Sequence, residues 1–165
     1  ESGVYEWQLC LTSDASCEAV ALNTLAITAP ERVFEPPLDA RSQAFASDSQ
    51  ALTSESIVAL EAVDVVEADG KTQITAVWQS ISETPISYRV FVHLLDADGN
   101  LTAQSDGEPA NWTRPTTGWM AGEFVSDTHT LNGVGETILI GLYDPETGER
   151  LVLDDGKTAV EIMNN

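Results

Sequence analysis

Residues 88–107, reading YRVFVHLLDADGNLTAQSDG, restrict the possible folds more than any other stretch of the chain. Val90, Val92 and Leu94 fall on one side of a two-residue period, and Phe91 and Leu95 fall on the other. That period belongs to a pleated strand, in which successive side chains leave opposite faces. The Asp-Ala-Asp-Gly-Asn run that follows carries the short polar side chains and the glycine of a tight turn, and Leu101, Thr102, Ala103 and Gln104 start a return strand. The segment is expected to be the central hairpin of an antiparallel sheet.

The same pattern recurs along the chain. Alternation predicts strands over 3–11, 18–28, 57–66, 72–80, 123–131, 136–143 and 158–163, with a short return over 151–153. Within 72–80, Ile74, Ala76 and Trp78 share a face, and both Trp78 and Trp7 read as core. Asp69-Gly70 suits a hairpin turn, and DPETGE at 144–149 suits a turn with a left-handed glycine. Pro36 and Pro37 have no N–H to donate, which keeps 30–38 out of a central strand. Residues 39–56 are rich in Ser, Ala, Asp and Gln without a period, and 106–118 hold too much Pro and Gly for a ladder strand. The fold class that follows is all-β. An antiparallel β-sandwich, Ig-like or jelly-roll-like, is expected over 54–165, with a linker at 39–53 and a β-hairpin appendage at 1–38. SGVYEWQLCL and VGETILIGLYD echo each other loosely, which would make the first segment the end of a preceding or partner sandwich. Two strands alone bury too little to be stable, so this hairpin is expected to dock on something.

Charge narrows the partners. Among 165 residues, 27 acidic against 7 basic give a formal net of −20 and a pI near 4.1. Such a surface repels phosphate backbones and anionic headgroups, so no nucleic acid partner is expected. It admits cations, basic partners and neutral polar polymers, and it also keeps a secreted protein soluble. No run approaches the roughly 20 apolar residues that span a bilayer, so membrane insertion is not expected either. The sequence starts without Met or a leader, as a processed or excised extracytoplasmic piece would, secreted or at the cell surface. Cys10 and Cys17 stand too far apart for a C-x-x-C motif and flank a Ser/Asp-rich turn. A disulfide across that hairpin would add about 2–3 kcal/mol in an oxidising compartment, with free buried thiols as the alternative.

Candidate chemistry is sparse. His93 and His129 are the side chains able to act as bases near neutral pH, and both lie on predicted strands. Ser105 precedes Asp106 outside any G-x-S-x-G context, and carboxylates are too abundant for any pair to be singled out. No catalytic residue is assigned, and the chain is not expected to be an enzyme. No cofactor is expected, with calcium as the open possibility. In an EF-hand starting at Asp96 the required glycine would be Leu101 and the bidentate acid Gly107, so 96–100 reads as a plain turn. A sandwich-type calcium site would instead use Asp106, Glu123 or Asp127 with backbone carbonyls. For a glycan the candidates are Trp112, Trp119, Asp106 and Asn111, since indole faces stack on pyranose rings while polar groups hold the hydroxyls. Trp112 stands in a polar loop; Trp119, flanked by Gly118 and Met120, is read first as a structural plug at the end of the sandwich and only second as a ligand residue. Asn100 and Asn111 each head an N-x-T glycosylation pattern.

Taken together, VFVHLLDADGN, AQSDGEP, PTTGWMAGE followed by Asp127, and IGLYDPETGERL resemble a recurrent bacterial extracytoplasmic β-sandwich. Such domains occur at the C-terminal ends of polytopic membrane proteins similar to glycosyltransferases and in other surface proteins. The resemblance covers about two-thirds of the chain, and the segment through Pro30–Phe34 is similar to the end of such a unit. It implies a non-catalytic accessory or carbohydrate-binding-like module; without membrane helices, a transferase role does not carry over. The expected work is to contact glycans or cell-surface proteins. The alternative is a self-associating subunit of a surface layer or filament, a homo-oligomer joined by strand addition through the N-terminal hairpin.

Overall fold

Runs of alternating β-branched and polar residues become strands in the computed structural model, which describes residues 3–10, 19–27, 29–35, 50–52, 56–153 and 155–164. The chain divides into two compact units, Glu1–Arg32 and Val33–Asn165. In the first, β1 (Gly3–Cys10) and β2 (Ala19–Ile27) pair antiparallel, Gly3 opposite Ile27 and Cys10 opposite Ala19, with a register shift between Trp7 and Gln8. The expected Cys10–Cys17 disulfide involves Cys17, which lies outside the described residues, as does the side chain of Trp7.

The second unit contains two four-stranded antiparallel sheets. One has the order β3 (Gln50–Leu52), β4 (Val58–Ala68), β5 (Lys71–Ser80), β8 (Phe124–Asn132). The other has the order β10 (Val160–Met163), β9 (Thr137–Tyr143), β6 (Arg89–Leu95), β7 (Leu101–Gly107). The strand Gln50–Leu52 falls inside the stretch expected to be linker. Its pairing to Val58–Leu60 uses backbone groups, which a low-complexity sequence supplies as well as any other. Val33, within the 1–38 segment expected to be the appendage, belongs to the second unit and bridges to Phe124 on the free side of β8. Asp69 and Gly70 turn β4 into β5 with φ of 53° and 72°, the left-handed pair that matches strand twist. At the return expected over 151–153 there is no continuous strand: bridge residues stand at Arg150, opposite Tyr143, and at Leu153, and the Leu151 N–H donates to Leu142 O at 2.9 Å.

Alternation decides what is inside. Val58, Val63, Ile74, Ala76 and Trp78 come from β4 and β5, with Val125 and Leu131 from β8. Val90, Val92, Leu94, Ile138, Ile140 and Leu142 come from β6 and β9, and all of these side chains belong to one core cluster. Each buried aliphatic side chain contributes about 1.5–3 kcal/mol by leaving water. No helix among the described residues is long and apolar enough to cross a membrane. Ile74 is fully buried at the centre of β5. Ile74→Ala is expected to lower unfolding stability by about 2–5 kcal/mol in urea melts followed by far-ultraviolet circular dichroism.

Candidate functional site

The strand period that puts Val90, Val92 and Leu94 inside puts Arg89, Phe91 and His93 on the opposite, outer face of β6. Register then fills the rows across that face. Arg89 lies opposite Tyr143, Phe91 lies between Asp106 and Gly141, and His93 lies between Gln104 and Leu139. Phe91 is nonetheless 1% exposed, because the connection between β9 and β10 folds over it. The Arg150 guanidinium sits 4.0 Å above its ring, and Tyr143 and His93 pack beside it at ring separations of 6.4 and 5.1 Å. Gly141 makes this layering possible: a β-carbon there would stand 2.7 Å from Phe91 Cζ and 2.9 Å from Thr158 O. Beyond the Arg89–Tyr143 row, a cleft of about 360 Å3 is lined by Pro85, Ile86, Ser87, Thr117, Asp144 and Pro145.

A strained turn brings an indole to the end of this face. Asp106 and Gly107, which fall in both the expected 88–107 hairpin and the 106–118 stretch, complete β7 as the hairpin requires, and residues Pro109–Trp112 then form one tight turn. Ala110, Asn111 and Trp112 all have positive φ, at 53°, 53° and 67°. A left-handed backbone costs a residue with a β-carbon about 1–2 kcal/mol, so this turn is held by its surroundings. The Ala110 N–H donates to Asp127 Oδ1 at 2.8 Å, Thr113 Oγ1 donates to Ala110 O at 2.7 Å, and the Trp112 N–H donates to Glu108 O at 3.1 Å. The result is an indole 53% exposed, its edge against Gly107 and the Arg89 guanidinium 5.0 Å from its ring centre.

Glu123 organises the rest of the loop. It is wholly buried, pairs with Arg114 and accepts the Met120 N–H at 3.0 Å. Trp119 is 3% exposed and donates its indole N–H to Arg114 O at 2.8 Å. It therefore packs in the core and presents no face to a ligand, which corrects its place among the glycan candidates.

The structure also joins residues that the sequence left apart. Ser105 on β7 and His129 on β8 are linked through Nδ1 at 2.9 Å, and His129 Nε2 meets Asp127 Oδ2 at 2.8 Å. These are the residue types of a nucleophilic triad with the ring nitrogens exchanged, aspartate on Nε2 and serine on Nδ1. Asp127 and His129 are 1% and 6% exposed, and β7 and β8 are the edge strands of different sheets. The chain of bonds satisfies buried polar groups while tying the two edges together. His93 and His129 stay apart, on the outer and inner faces respectively.

The three carboxylates named for calcium do not converge. Asp106 is on the outer face beside Phe91, Glu123 is paired with Arg114, and Asp127 is engaged by His129 and the Ala110 N–H. Among the described residues, no group of three or more His, Cys, Asp or Glu side chains is placed to hold a metal ion. The 96–100 turn is closed by its own side chains, with Asp96 Oδ1 accepting the N–H groups of Asp98 at 3.0 Å and Asn100 at 2.8 Å. Asn100 Nδ2 donates to both Asp96 oxygens, and that contact chiefly holds the Asp96 carboxyl below its ordinary value. Asn100 and Asn111 are exposed.

Arg89, Gln104, Tyr143 and Arg150 were not singled out from the sequence. A signal for Arg89 and His93 was present, since they flank Phe91 on the non-core side of an alternating strand. Arg150 gave none, because an irregular connection carries it. Comparison with protein families, with curated proteins and with solved structures returns no match for this chain.

Burial, with the Arg150 charge beside it, holds the His93 imidazole below its ordinary 6.5, against an opposing pull from Asp106. The unfolded chain therefore binds this proton more readily than the folded one. The His93 contribution to stability is complete above the unfolded value and is lost as pH falls below it towards the folded value. His93→Gln is expected to flatten the decline in Tm between about pH 7 and pH 5, the range in which an ordinary imidazole titrates. Calorimetric scans across that range check this.

Proposed function

We propose that the chain is a non-catalytic, extracytoplasmic binding module, its larger unit an Ig-like β-sandwich that contacts glycans on cell surfaces. The sheet orders β3-β4-β5-β8 and β10-β9-β6-β7 support the Ig-like reading over a jelly roll. Hairpins β4–β5 and β6–β7 lie in different sheets, and the chain crosses again to β8 and back to β9, as in Greek-key sandwiches of the immunoglobulin and fibronectin type. The observation that carries the glycan reading is Trp112, an indole left 53% exposed by a turn of three left-handed residues. Strain of that kind persists where presentation of a side chain matters, and an exposed indole is the natural platform for a sugar ring. Asp106, Gln104 and His93 supply acceptors and donors on adjoining rows, and the 360 Å3 cleft is within the size range of small-ligand sites. Trp112→Ala is expected to weaken retention on a polysaccharide identified by glycan array by about tenfold or more, with the fold intact by circular dichroism. Unchanged retention would remove Trp112 from the site.

A second reading rests on the first unit. Its two strands form a compact body of their own, and a two-stranded sheet is marginal in water unless completed. Supplied by a neighbouring copy, the missing strands would join subunits head to tail. Size-exclusion chromatography of the whole chain beside a version starting at Ser47 tests this: assembly requires a polymer that truncation turns into a monomer.

A further inference from the structure

The two arginines of the outer face are held differently from Arg114 and Lys157. The sequence has 7 basic residues against 27 acidic ones, so carboxylate partners are plentiful. Arg114 pairs with Glu123, and Lys157 lies 3.5 Å from Asp155. Arg89 and Arg150 have no ion pair among the described residues. Each guanidinium instead faces an aromatic ring, Arg89 with Trp112 at 5.0 Å and Arg150 with Phe91 at 4.0 Å. Arg89 Nε is buried without a hydrogen-bond partner. A guanidinium carries N–H donors in its plane, so stacking on a ring leaves its terminal N–H groups directed past the ring.

Register brings the two arginines into one row. Arg89 lies opposite Tyr143, and Tyr143 bridges to Arg150, so two interstrand steps separate their backbones, roughly 10 Å. Trp112 closes the Arg89 end of that row. Planar forks beside an exposed indole match a sugar ring bearing a planar anion, because arginine recognises carboxylate bidentately and an indole accepts a pyranose face. At physiological salt, charge is screened within about 8 Å, so the guanidinium groups act on an anion at this row in competition with the carboxylates close by, Asp106 on the same face and Asp144 beside Tyr143.

We infer that the Arg89–Tyr143–Arg150 row selects a uronate-bearing saccharide, the sugar ring resting on Trp112 and its carboxylate held by the arginines. This rests on the glycan reading above and adds the class of sugar. The test measures binding of the full chain to polygalacturonate and to the same polymer with its carboxyls methyl-esterified, which keeps the sugar and removes the charge. The acid form is expected to bind more tightly by about tenfold or more, the effect of one charge-assisted hydrogen bond, and to weaken as sodium chloride is raised. Arg89→Gln and Arg150→Gln are each expected to remove that preference, bringing the affinities for the acid and esterified polymers together. Arg89→Lys, which keeps the charge without the fork, should restore it in part. Equal affinity for the two polymers would overturn the inference and leave the glycan reading standing. Competition by poly-glutamate as effective as that by polygalacturonate would overturn it in favour of an acidic protein ligand. Binding to neither polymer would also overturn it, with the Trp112 variant on array-selected glycans then deciding the broader reading.

Discussion

Each sheet of the larger unit has one apolar face, and one shared core hides both. That constraint fixes nearly everything else. It sets the phase of β6 and β9, whose Val90, Val92, Leu94, Ile138, Ile140 and Leu142 share the interior. Because a strand has a period of two, the same phase determines which residues are turned away from the core. Arg89, Phe91 and His93 owe their common face to the burial of their neighbours. A slip of one residue in β6 would expose the valines and bury an arginine, so core and candidate site stand or fall with one register.

The loop between β7 and β8 depends on a second, local arrangement. A fully buried carboxylate is costly alone, but Glu123 has Arg114 and the Met120 N–H as partners. Trp119 then caps the Arg114 carbonyl and joins the core. On the other side of the loop, Asp127 accepts the Ala110 N–H and also engages His129, which reaches Ser105. The left-handed turn is thus anchored to β8 through a side chain that simultaneously laces β8 to β7. The rigidity of the Trp112 platform and the closure of the sheet edges have a common origin in Asp127.

Much of the strand framework was legible in the sequence, because alternation is a local property and β6, the first strand of the central hairpin, carries it. The 96–100 turn was legible for the same reason: Asp96 closes it with its own oxygens. What escaped was non-local. Gln50–Leu52 pairs through its backbone and leaves no pattern in its side chains. Asp106 and Gly107 fit both hairpin and loop, and β6 decides between the two by supplying a partner strand. The Ser105–His129–Asp127 chain depends on two sheets meeting edge to edge, and no spacing within the sequence encodes that meeting. Trp112 could be flagged from its polar neighbours, but its partner Arg89 lies far away in the sequence. Glu123 and Asp127 looked like free acids because sequence cannot reveal which carboxylates are already taken.

Arg150 belongs to the connection between β9 and β10 and reaches the sheet by lying across Phe91. That connection is a strap laid over the strands, fastened at one end by the Tyr143 bridge and at the other by the four residues of β10. A molecule gripping Arg89 and Arg150 together would clamp strap to sheet. The last strand of the unit would then gain resistance to being peeled away, and the occupied module would withstand pulling or proteolysis at its C-terminal edge better than the empty one.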